Sequence, residues 1–127
     1  MNSNQSNVSV VKIRQILLVS MPSDPDDSTV AALQENVLAA MERFGAKGLI
    51  FDISSVETLD SYFARVISET AQMITLMGGR TIIVGMQPAV AVTATQMGLT
   101  LNDIETALTV DRALDRCAGN KDFPDAR

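Results

Sequence analysis

Lys47-Gly48-Leu49-Ile50-Phe51-Asp52-Ile53 is the stretch on which the fold turns. Its Gly-Leu-Ile-Phe centre, set between charged flanks, reads as a buried strand. Downstream, Ser61 to Met77 predicts a helix with Phe63, Val66, Ile67, Ile74 and Met77 on its apolar face and Gly78-Gly79 as terminator. Upstream, Val30, Leu33, Val37, Met41 and Phe44 recur at three- and four-residue steps, so a second apolar stripe precedes the strand. Asp26, Asp27 and Ser28 offer cap side chains to that helix, and Gly45 stops it.

Further out, two short β-like runs, Val8–Arg14 and Ile16–Met21, predict a hairpin. Thr81–Met86 is a β-branched strand, and Pro88 opens a third helix that runs to about Met97. A short strand is expected over Glu105–Val110, followed by a last helix capped by Asp111 and carrying Arg112, Leu114 and Arg116. Strands alternating with helices require right-handed crossovers and a mostly parallel sheet, here joined to an antiparallel hairpin. The fold class is therefore α/β: one domain, a mostly parallel sheet with an N-terminal β-hairpin, and about four helices packed on it. Residues 1–7 and 119–127 are expected to be flexible ends around a domain over 8–118.

Composition narrows the chemistry. The chain of 127 residues has no histidine and one cysteine, Cys117. An internal disulfide, a Cys/His zinc site, histidine-dependent nucleophilic catalysis and a histidine pH switch are all excluded. Lys and Arg number 10 against 15 Asp and Glu, for a net charge of −5, and they are scattered singly, which argues against nucleic acid as a partner. The uncharged stretch Thr81 to Asn102 has the length of a membrane span, but Gln87-Pro88, Gly98, threonines and a second glutamine break it. No secretory signal is visible in Met1 to Asn7, so a cytoplasmic location is expected.

No GxGxxG, GxxxxGK[ST], GxSxG, CxxC or HExxH motif is present. Asp52, Glu57 and Asp60 lie around the end of the Lys47–Ile53 strand, where open α/β sheets place ligands. They are either a carboxylate site of a ligand-binding or enzymatic domain or ordinary loop and cap carboxylates. Local chemistry favours the second reading. Cys117, beside Arg116 near a helix C-terminus, reads as structural rather than as a redox thiol. Two segments exceed what a plain core requires. Ser61 is either itself the cap of its helix or, with Asp60 at the cap, a first-turn residue with a free hydroxyl; local chemistry favours the cap. The helix Gln87–Met97 carries no charge, so it is either fully buried or held against another subunit.

The run from Gly48 to Ser61, then Leu76-Met77-Gly78-Gly79, Gly85-Met86-Gln87-Pro88-Ala89-Val90-Ala91-Val92-Thr93, Gly98 and Ile104-Glu105-Thr106-Ala107-Leu108, resembles STAS domains over nearly the whole chain. More narrowly it resembles the RsbS-type stressosome branch. Simple anti-sigma-factor antagonists of that family tend to show Asp-Ser-Ser-Gly at the helix entry, where this chain has Asp60-Ser61-Tyr62-Phe63. The resemblance implies a non-catalytic, cofactor-free scaffold that self-associates and co-assembles with RsbR-type STAS proteins. It also implies capture of an RsbT-type serine/threonine kinase, with Ser61 as phosphoacceptor, Asp60 and Arg65 around it, and a phosphatase that removes the phosphate. Thr93 matches a threonine phosphorylated in RsbR-type paralogues and reads here as a secondary phosphosite or an interface threonine. The alternatives are a free-standing anti-anti-sigma factor regulated by serine phosphorylation and a small ligand-binding α/β domain.

Overall fold

The computed structural model describes residues 8–97 and 104–118, and the ends expected at 1–7 and 119–127 lie outside them. Two strands, β1 (Ser9–Ile13) and β2 (Ile16–Ser20), form the hairpin, with Val10 opposite Val19 and Arg14 at the turn. Helix α1 (Asp27–Phe44) leads to β3 (Gly48–Asp52), and α2 (Ser61–Leu76) to β4 (Arg80–Val84). Helix α3 (Pro88–Gln96), β5 (Glu105–Ala107) and α4 (Val110–Ala118) complete the order. The five strands lie in the sequence β1-β2-β3-β4-β5, antiparallel in the first pair and parallel in the rest.

Because the parallel strands are consecutive neighbours, crossovers of one hand put α1 and α2 on the same face, where they pack together. Side-chain alternation then divides the core into two layers. Leu17, Val19, Leu49, Phe51 and Ile83 face α1 and α2, joined by Val90 and Ala94 of α3. Ile16, Ile50, Ile82 and Val84 face Ala113 and Cys117 of α4. A central strand buried on both faces is continuously apolar, which is why Gly-Leu-Ile-Phe shows no polar alternation.

Helix ends follow capping chemistry. Asp26 Oδ1 accepts the Thr29 backbone N–H at 2.8 Å, and Gly45, at φ 62°, closes α1. Four sequence expectations are corrected. Phe44 is 41% exposed rather than part of the buried stripe, and Arg43 and Lys12 flank its ring instead. Met77 caps the C-terminus of α2 and is 52% exposed rather than on the buried face. β5 pairs over three residues only, so α4 starts at Val110; Thr109 Oγ1, not Asp111, then accepts the first-turn N–H of Arg112 at 3.2 Å. The strand expected over Thr81–Met86 runs from Arg80 to Val84, because Gly85, at φ 77°, turns the chain.

Candidate functional site at the carboxyl ends of the strands

The parallel strands deliver the connections into α1, α2, α3 and α4 to one end of the sheet. The connection from β3 to α2 is held there by the rest of the fold. Ile53 N–H donates to Val84 O at 3.1 Å, Val56 N–H to Ile53 O at 3.0 Å, and Glu57 N–H to Ser23 O at 3.2 Å. Val56 and Leu59 are buried, so two apolar anchors seat the loop between its polar residues. Asp52 Oδ1 accepts the Ser54 backbone N–H at 2.9 Å.

Gly85 completes the clamp. A Cβ there would lie 2.7 Å from the Ser54 Cβ, and the Gln87 side-chain amide donates to Ser54 O at 2.8 Å. The connection from β4 to α3 therefore lies directly against the loop that leads to Ser61. Sequence reading missed this Ser54–Gly85–Gln87 clamp. The available signal was a glycine at a strand end two residues before Gln87-Pro88.

Asp60, in extended conformation, is the N-cap of α2, and its Oδ1 accepts the Phe63 N–H at 2.8 Å. Phe63 is buried edge-on to Phe51, the ring centroids 6.4 Å apart at 79°. These anchors on either side fix Ser61 as the first residue of the helix, with an exposed side chain. No hydrogen bond ties its hydroxyl to another described residue. First-turn N–H groups have no partner within a helix, so the hydroxyl stands beside the positive end of the α2 dipole. Arg65, one turn on and exposed, holds its guanidinium 5.7 Å from the Tyr62 ring centre.

The structure thus brings Asp52, Glu57, Asp60 and Ser61 to one end of the sheet, with Arg65 one turn above. Asp52 and Asp60 both spend a carboxylate oxygen on backbone N–H groups, which is the loop-and-cap reading of these acids. Thr93 is different from Ser61: it is half-buried in α3 and its hydroxyl donates to Ala89 O at 3.1 Å. Helix α3 buries Val90 and Ala94 but leaves Val92 58% exposed, so it is not buried within the chain. Cys117 is buried under the sheet, and that burial raises its thiol above the usual range. Among the described residues no three Cys, Asp or Glu side chains converge as metal ligands, and no helix is long and apolar enough to cross a membrane.

A hairpin leading a parallel sheet, with α1 and α2 on one face and α4 on the other, and an exposed serine at the entry of the second helix define a small α/β domain. The STAS domain model matches residues 7–113, and the chain belongs to that family. RsbT co-antagonist protein RsbRB of Bacillus subtilis is 28% identical over 97 residues, 76% of this chain and 35% of that protein. The chain therefore spans about a third of the length of the curated relative. RsbS of Moorella thermoacetica superposes with a TM-score of 0.78 at 33% identity, covering 86% of this chain and 92% of that one. A chain from the molecular architecture of the stressosome gives 0.76 at 33% identity, covering 85% and 94%.

Proposed function

We propose that this protein is a non-catalytic stressosome scaffold and antagonist. It co-assembles in the cytoplasm with RsbR-type STAS proteins, holds an RsbT-type serine/threonine kinase, and releases that kinase when Ser61 is phosphorylated. The observation that carries the reading is the position of Ser61: exposed, first in α2, its hydroxyl free because Asp60 does the capping. The likeness to RsbS and to a stressosome chain, spread over most of both chains, supports the assembly.

The chemistry of a switch follows locally. A phosphate adds about −1.5 to −2 charges and three acceptor oxygens, which the first-turn N–H groups and the Arg65 guanidinium accommodate. Glu57 and Asp60 make the surroundings acidic, so the new charge acts on whatever is docked there through desolvation and like-charge repulsion. Thr93, bonded into its own helix, is the secondary candidate only. The uncharged face of α3 around Val92 serves subunit contacts. The test is to capture the protein with its partners from native cells, phosphorylate it with the co-purified kinase and map the site. Phosphate on Ser61 and loss of kinase from the complex are expected. A free monomer without STAS partners, or a modified residue elsewhere with Ser61 untouched, contradicts the reading.

A further inference from the structure

Among the described residues the two ends of the sheet carry opposite charge. At the carboxyl end, the connections from β2 to α1, β3 to α2 and β4 to α3 hold Asp24, Asp26, Glu57 and Asp60 and neither Lys nor Arg; Asp27 and Asp52 flank them, and Arg65 stands one turn into α2. At the other end, the hairpin turn and the α1–β3 and α2–β4 connections hold Arg14 and Lys47 and no carboxylate, Glu105 at the start of β5 is paired with Arg80, and residues 98–103 of the α3–β5 connection lie outside the described residues. Those connections are stitched together: Lys47 N–H donates to Gln15 O at 2.7 Å and Arg80 N–H to Lys47 O at 3.1 Å. Beside them Arg43 lies 4.8 Å and Lys12 Nζ 6.0 Å from the centre of the Phe44 ring. Glu42 is the one carboxylate in the last turn of α1.

The basic end is also apolar. Leu76 is 88% exposed, and Met77 beside it and Phe44 at the end of α1 on the same side are exposed too, the kind of surface hydrophobes that mark a contact. At the acidic end, Leu108 between β5 and α4 is 73% exposed. For a chain of net charge −5, a basic and apolar end is unlike the surface as a whole and matches the chain's own opposite end.

We infer that the basic end around Lys12, Arg43, Lys47, Phe44 and Leu76 docks the acidic end of a second copy of this chain, head to tail. Such a contact is heterologous, joining different surfaces of the two copies, and extends into a ring or an open chain. It is separate from the α3 face and does not rest on the phosphorylation of Ser61.

The purified full chain, sedimented at low and high salt, tests it. Between about 50 and 500 mM NaCl the association constant falls about tenfold or more, since the screening length shortens severalfold. Arg43→Glu with Lys47→Glu abolishes the salt-sensitive association, as does Asp24→Lys with Glu57→Lys; circular dichroism confirms that both stay folded. An equimolar mixture of the two variants restores it, because each reversed end meets its reversed complement. The salt-sensitive component persists in Val92→Glu, which separates it from contacts through α3. Association indifferent to salt, or no recovery on mixing, overturns the inference. So does binding of the basic end to phosphatidylserine vesicles while association is unchanged by charge reversal.

Discussion

Asp60 Oδ1 accepts the backbone N–H of Phe63 at 2.8 Å, and that bond leaves the neighbouring Ser61 hydroxyl free. Asp60→Ala removes the cap and is expected to cost about 1 kcal/mol, a fall of about 3–5 °C in thermal midpoint for a domain of this size. Asp60→Asn keeps the acceptor and most of the stability. Thermal unfolding of the three proteins checks the pair, and equal loss in both variants contradicts capping as the mechanism.

Gly85 lets the β4–α3 connection approach Ser54. Gly85→Ala forces a Cβ against Ser54 Cβ at a backbone conformation that disfavours side chains, at an expected cost of about 2–4 kcal/mol. Amide exchange in residues 53–60 rises with it, because the clamp on that loop is lost. A variant of wild-type stability sinks this account of the loop.

Helix α3 shows Val92 to solvent without a charge on any face. Val92→Glu is expected to shift unfolding of the isolated domain by no more than about 0.5 kcal/mol while weakening subunit association at least tenfold. Sedimentation and unfolding of one preparation test both halves together.

Arg80 clamps Glu105 with two hydrogen bonds of 2.8 and 2.6 Å, and this bonding, against partial desolvation, holds the Glu105 carboxyl below its usual range. A depressed folded-state value stabilises above the ordinary carboxylate range and is lost as pH falls through the folded value. The site is partly exposed, so the effect is under about 1 kcal/mol. Glu105→Gln should therefore flatten the acid limb of a plot of stability against pH, with little change in shape near neutrality. An unaltered acid limb contradicts it.

Much of this was legible in the residues. Val30, Leu33, Val37 and Met41 are buried as their spacing requires, and Asp26 and Gly45 bound α1 as local capping rules dictate. Phe44 obeys the same spacing yet is exposed, since periodicity marks the apolar face of a helix but not how far along it the packing extends. The choice between Asp60 and Ser61 as cap was not local either. Both residue types cap equally well, and the burial of Leu59 and the packing of Phe63 on Phe51 decide between them. The Ser54–Gly85 approach joins residues 31 positions apart, and only the folded sheet brings them together.

The most direct test of the central claim is kinase affinity measured beside thermal unfolding for four forms: wild type, Ser61-phosphorylated, Ser61→Ala and Ser61→Asp. The account predicts that phosphorylation weakens kinase binding at least tenfold with the thermal midpoint held, that Ser61→Ala keeps the kinase bound, and that Ser61→Asp releases it in part. Unchanged affinity on phosphorylation, or affinity lost only together with the fold, contradicts it.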